Sequence, residues 1–116
     1  MERVPDSRFE RQLRQYGPDA QHEPVTLAAA TAYCQQLTKN HYENFTVASW
    51  LLPRELRSHF AHIYAYCRWS DDLADESGDD VRSLRLLAWW RSELQACYQG
   101  RTRHPVFVAL AETIRA

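Results

Sequence analysis

Tyr64, Arg68, Asp71, Asp72 and Asp75 fall within a single run, Ile63-Tyr64-Ala65-Tyr66-Cys67-Arg68-Trp69-Ser70-Asp71-Asp72-Leu73-Ala74-Asp75-Glu76, and their types suit one kind of chemistry. At about 100° per residue, Tyr64, Arg68, Asp71 and Asp75 share a helical stripe about 60° wide, with Asp72 at its edge. Asp71 and Asp75 then project together, one turn and about 6 Å of helix axis apart. Two bare carboxylates so placed repel by up to roughly 3 kcal/mol at an effective dielectric near 20, and less when solvated. A divalent cation reverses that sign. Hard oxygen donors favour Mg²⁺, which takes one or two protein carboxylates, keeps several waters and accepts phosphate oxygens. Arg68, one turn earlier, offers a planar cation able to hold a diphosphate in a two-point grip. Spacing alone also fits a plain solvated acidic helix end before the Gly78 turn.

The element that must position these groups is a long helix. Pro53 suits its first position, and the pattern from Leu56 through Ala74 reads as continuous helix. Leu52 is placed to staple onto Leu56. Leu56, Phe60, Ile63 and Cys67 occupy one flank, with Tyr66 and Trp69 behind, which predicts a central helix buried among neighbours. His59 and His62 point away from the acidic stripe and read as packing or surface residues, because no further ligands converge on them.

Before this helix, Thr26 is an N-cap for a helix to about Leu37, with Leu27, Ala30, Tyr33, Cys34 and Leu37 at helical spacing. After it, Gly78 ends the pattern and Asp79 or Asp80 caps a helix over Val81–Tyr98, whose expected inner face is Leu84, Leu87, Ala88 and Leu94, widened by Trp89 and Trp90. Gly100 closes that helix, and Pro105 opens a fourth with Val106, Phe107, Leu110 and Ile114 inward. Residues 1–24 carry Pro5, Gly17, Pro18 and Pro24 among charges and read as a flexible arm. No strand-period alternation, internal repeat or low-complexity tract is present. The expected class is all-α with about four main helices in residues 25–116.

The chain has 116 residues, at most one domain of radius about 13 Å. Fourteen Lys and Arg against 15 Asp and Glu give a formal charge of -1, which argues against a nucleic-acid binder carried by bulk electrostatics. Cys34, Cys67 and Cys97 are odd in number and far apart, so neither a disulfide framework nor a zinc site is indicated and a reducing, cytoplasmic setting fits. No signal peptide or spanning segment is read, and membrane contact is expected to be peripheral at most.

Taken together, HYENF at residues 41–45, LLP at 51–53, the run IYAYCRWSDDLADE, the CYQG turn and HPVF resemble the squalene/phytoene synthase family of all-α enzymes that join prenyl diphosphates head to head. The likeness spans most of Ala32–Ile114. The HYENF-x-VAS form is most similar to the HpnC branch, which forms hydroxysqualene in bacterial hopanoid synthesis. The resemblance implies an isoprenoid-synthase-like fold, Mg²⁺ as cofactor and farnesyl or presqualene diphosphate as substrate. It implies that Asp71, Asp72 and Asp75 form the first aspartate-rich, metal-holding motif and that Tyr64 and Arg68 act at the diphosphate and reacting region. His41, Asn44 and Phe45 correspond to the substrate-binding entry motif, although Tyr42 and Asn44 replace serines that many relatives place against phosphate.

The family is considerably longer and carries a second aspartate-rich motif on a later helix, which this sequence lacks. The expectation is therefore the N-terminal part of such a domain, with little or no turnover alone. A pocket for a prenyl chain would hollow out much of a domain this small, so four helices could line one wall but not enclose it. A competing reading is a non-catalytic helical module or pseudoenzyme that associates with another chain through exposed Trp and Leu faces.

Overall fold

The computed structural model describes residues 7–44, 47 and 50–116. Among these residues the chain forms five helices and no strand: α1 Arg8–Tyr16, α2 Leu27–His41, α3 Arg54–Asp75, α4 Asp80–Tyr98 and α5 Pro105–Arg115. The all-α class holds. α2 packs on α3 and α5, while α4 packs on α3 and α5. The molecule measures 50 × 33 × 23 Å, and its thinnest dimension is about two helix diameters, the proportion of a wall rather than a vessel.

The caps read from sequence are present. Thr26 Oγ1 accepts from Ala29 N–H at 3.1 Å, and Asp79 Oδ1 accepts from Arg82 N–H at 2.8 Å. Gly78 and Gly100 take φ of 94° and 81°, the left-handed region that side chains disfavour, so each ends its helix cleanly. Pro53 differs slightly, being the N-cap residue of α3, with Arg54 the first helical position.

The expected flexible arm is corrected over its described part, because residues 8–16 form a helix. Ser7 Oγ accepts from Glu10 N–H at 3.1 Å, and Phe9 and Leu13 are buried one turn apart. Ser7-x-x-Glu10 with apolar Phe9 and Leu13 spaced i, i+4 was a readable helix start, masked by the surrounding prolines and charges. α1 is held to the body by Glu10, whose carboxylate pairs with Arg82 at 2.6 Å, and by Gln12, which accepts from the Tyr33 hydroxyl at 2.6 Å.

Two predicted inner faces are also corrected. On α4 the buried positions are Leu86, Trp90 and Cys97, and Leu87, Trp89 and Leu94 pack partly buried against the core as expected, whereas Leu84 and Ala88 are exposed. The two wide tryptophans bury more area than the aliphatic stripe and so decide which side turns inward. On α3 the buried stripe is Ala61, His62, Ala65, Trp69 and Leu73, while Leu56, Ile63 and Cys67 face solvent. Small alanines let α2 and α5 approach closely there, leaving the bulkier flank outside. Trp50, 76% exposed, and Leu51, 80% exposed, extend this apolar surface.

His59 and His62 are packing residues. Each Nδ1 lies 2.8 Å from the Thr113 hydroxyl, which can donate to one ring and must accept from the other. The three cysteines are free thiols. No helix among the described residues is long and apolar enough to cross a membrane.

Candidate functional site

The C-terminal half of α3 carries the acids. It is rigidly placed because Trp69 and Leu73, alternating with them along the helix, are buried in the core. Trp69 stacks on Trp90 with centroids 5.3 Å apart and donates its indole N–H to the Tyr33 hydroxyl at 2.9 Å. Beyond the helix end, the Ser77 hydroxyl donates to the Leu73 carbonyl and Arg82 donates to the Ser77 carbonyl at 2.9 Å, which fixes the turn into α4.

Arg68 and Asp72 are partners across one turn, with Arg68 Nε 3.4 Å from Asp72 Oδ2. That is longer than a well-made charge-assisted hydrogen bond of about 2.7–2.9 Å. The Nε atom is buried and forms no hydrogen bond of good geometry among the described residues. It is thus a desolvated donor with room to take a better acceptor. Burial raises the Asp72 pKa against the opposing charge and close approach of Arg68, with Glu76 and Asp71 adding to the rise.

Arg68 and Asp72 line a cleft of about 170 Å³ together with His41, Tyr33, Glu76 and, from α1, Arg8. This is below the ~300–1,000 Å³ of pockets for organic ligands, and suits an inorganic head group better than a prenyl chain. Burial lowers the His41 pKa, and the charges of Arg68 and Arg8 push it the same way, so the imidazole stays neutral and can accept or donate.

Asp71 and Asp75 do not line that cleft. Both are exposed on the neighbouring stripe of α3 and have no ion pair among the described residues. Tyr64 is half-buried, its ring 5.4 Å from Tyr42 and 6.5 Å from Phe60, forming an aromatic patch one turn before Arg68. Asn44 is exposed, and Phe45 lies outside the described residues. The structure therefore brings Arg68, Asp72 and His41 together and leaves Asp71 and Asp75 beside them, open to solvent.

Among the described residues no three His, Cys, Asp or Glu side chains converge as a complete metal cage. The donor set nevertheless fits Mg²⁺, which needs only one or two carboxylates when phosphate oxygens and waters fill its other positions. Asp71 and Asp75 are such carboxylates. Sequence reasoning missed Arg8 and Gln12, both on α1; the same Ser7-x-x-Glu10 signal that marks the helix would have placed them. A larger cleft of about 670 Å³ runs between α1 and α4 over Leu13, Leu86 and Trp89, and holds none of the α3 acids.

Comparison with known proteins meets the same residues. The family model for squalene/phytoene synthase matches residues 38–116. The crystal structure of squalene synthase HpnC from Alicyclobacillus acidocaldarius superposes with a TM-score of 0.70 and 42% sequence identity, covering 77% of this chain and 33% of that one. A phytoene synthase from Arthrospira platensis is 30% identical over 91 residues, 78% of this chain and 29% of the relative. A presqualene diphosphate synthase from Rhodopseudomonas palustris is 33% identical over 57 residues, 49% of this chain and 20% of the relative. The chain spans less than a third of the length of these curated relatives. A helical body of this fold, with the Tyr64, Arg68 and aspartate run on one helix inside the matched segment, makes this chain a member of the squalene/phytoene synthase family.

Proposed function

We propose that this chain supplies the first metal-and-diphosphate wall of a head-to-head prenyl-diphosphate synthase of the squalene or hydroxysqualene type, in hopanoid or other triterpenoid synthesis. The observation that carries the reading is the buried, unsatisfied Arg68 Nε beside two solvent-open carboxylates one turn apart on the same helix. Asp71 and Asp75 would hold Mg²⁺, with Asp72 steering Arg68. When bound, that ion neutralises charge on a departing diphosphate.

Arg68 adds a fixed guanidinium where negative charge grows as the carbon–oxygen bond of farnesyl or presqualene diphosphate breaks, so it favours the transition state over the ground state. The Tyr64, Tyr42 and Phe60 rings present π-faces and no strong nucleophile to the cation left behind. An oily product suits peripheral contact with the inner face of a membrane. The exposed Trp50, Leu51, Leu56 and Ile63 flank favours association with a further helical wall, and the same flank supports the second reading, a non-catalytic module that pairs with another chain.

Calorimetric titration with inorganic pyrophosphate in Mg²⁺ tests the binding reading. Binding should depend on Mg²⁺, and Asp71→Asn with Asp75→Asn should weaken it at least tenfold while leaving the melting temperature within a degree or two, both positions being exposed. Identical titrations of the parent and the double variant would reject the assignment. With radiolabelled farnesyl diphosphate the 116-residue chain should give no product by itself.

A further inference from the structure

Arg8 belongs to α1, outside the segment matched by the family model, yet it lines the cleft that holds Arg68, His41 and Asp72. Its backbone has little freedom there. Ser7 caps the turn, and the next residue, Phe9, packs edge-on against Trp69 with centroids 5.7 Å apart. Glu10 holds both guanidinium nitrogens of Arg82 at 2.6 and 3.1 Å, and Gln12 is tied to Tyr33. Residues on both sides of Arg8 are thus anchored, while its own side chain is exposed and has no ion pair among the described residues.

The charge arrangement makes this placement informative. Asp72 is engaged by Arg68, and Glu76 is the other acid of the cleft. Were Arg8 present only to neutralise those acids, it would close on one of them, and no such pair forms. Instead the charges of Arg8 and Arg68 both reach the His41 imidazole, so two cations from different helices face one small cleft. Two guanidinium forks on separate elements can grip the two ends of a diphosphate and fix its orientation, which one fork cannot.

We propose that Arg8 is a second diphosphate-binding residue, reaching from α1 into the cleft that Arg68 enters from α3, and acting on the diphosphate group whether free or esterified to a prenyl chain. The inference rests on the reading of the α3 acids and Arg68 as a Mg²⁺–diphosphate site.

Titration of the full chain with inorganic pyrophosphate and, separately, with farnesyl diphosphate, each in Mg²⁺, tests it. Arg8→Gln should weaken both by about tenfold, and Arg8→Lys by about threefold, since charge is kept and the fork lost. The melting temperature should not move, because the Arg8 side chain is exposed. Arg68→Gln serves as the reference. If Arg68→Gln weakens binding and Arg8→Gln does not, Arg8 is no ligand and the wider reading stands. A loss confined to either probe also overturns the proposal, because a residue that grips the diphosphate group itself must weaken both when it is removed. If the parent binds neither probe, the wider reading fails and this inference with it.

Discussion

Trp69→Ala should lower the stability of the chain by about 4 kcal/mol, most of the margin of a small domain. Trp69 is 3% exposed and is the residue on which four parts of the fold close. Phe9 of α1 meets its edge, Trp90 of α4 stacks on its face, and the His104 ring lies 4.4 Å away, nearly perpendicular. Its indole N–H feeds the Tyr33 hydroxyl, which passes a hydrogen bond to Gln12. Truncation removes the transfer free energy of the ring, leaves a cavity too hemmed in to collapse, and strips the Tyr33 hydroxyl of its donor. Trp69→Phe should cost less, about 1–2 kcal/mol, since most of the ring is kept and chiefly the hydrogen bond is lost. Urea unfolding of the two variants checks this order. A loss below about 1.5 kcal/mol for the alanine variant would show that the aromatic cluster is not the keystone described. Because Arg68 is its neighbour in the chain and Trp69 itself lines the cleft, the alanine variant should also loosen the cleft that Arg68 and Asp72 share.

Acid should destabilise the fold well before its carboxylates titrate. Burial pushes the His62 pKa down to about 4, helped by the nearby His59 charge and opposed by Glu112. Burial drives His104 well below the ordinary histidine range, with His22 adding to the effect. In the unfolded chain both imidazoles protonate near pH 6.5. As pH falls below that value the unfolded state binds protons that the folded state refuses, so stability present above pH 6.5 is lost on the way down to about 4. At about 1.4 kcal/mol per pH unit, His62 alone accounts for a loss of about 2–3 kcal/mol over that window. Burial raises the pKa of Asp72 and Glu93, so these carboxyls take up protons more readily in the folded state and offset part of the loss at its acidic end.

The two histidines can be told apart. His104 Nδ1 accepts from Val106 N–H at 3.0 Å as the N-cap of α5, and its buried Nε2 has no hydrogen-bond partner among the described residues. His104→Asn replaces the capping nitrogen with an amide oxygen that can accept from the same N–H and removes one titrating group, so unfolding free energy should fall less steeply with acid than in the parent. His62→Gln should flatten the same slope between pH 6.5 and 4. If both variants and the parent share one pH profile, the buried imidazoles are not the acid-sensitive groups.

The sequence disclosed the helical body because its punctuation is chemical. Thr26, Asp79, Gly78, Gly100 and Pro105 each sit where their side chain or backbone freedom is needed, and four helices follow. What it concealed was orientation. α3 and α4 are apolar over wide arcs, and only packing tells that Ala61, Ala65 and Trp69 turn inward while Leu56 and Ile63 do not. The site shows the same division. The angular stripe collected Tyr64, Arg68, Asp71 and Asp75, but the residue that Arg68 meets is Asp72, at the stripe's edge, because side chains four apart on a helix are neighbours. Arg8 lies on a helix that Ser7-x-x-Glu10 signals, but its approach to the cleft is a long-range contact that the local signal does not specify.

Apart from the Gln12–Tyr33 hydrogen bond, ties of the first helix and the segment after it reach far along the chain: Glu10 waits for Arg82, 72 positions on, and the Ala20 carbonyl waits for Arg103, 83 positions on. During translation at about 5–20 residues per second, Phe9 and Leu13 therefore leave the ribosome several seconds before the surfaces that will cover them. Docking of this helix is a late event, and the nascent chain carries an uncovered apolar turn at Phe9 and Leu13 until then, a natural place for a chaperone to hold on.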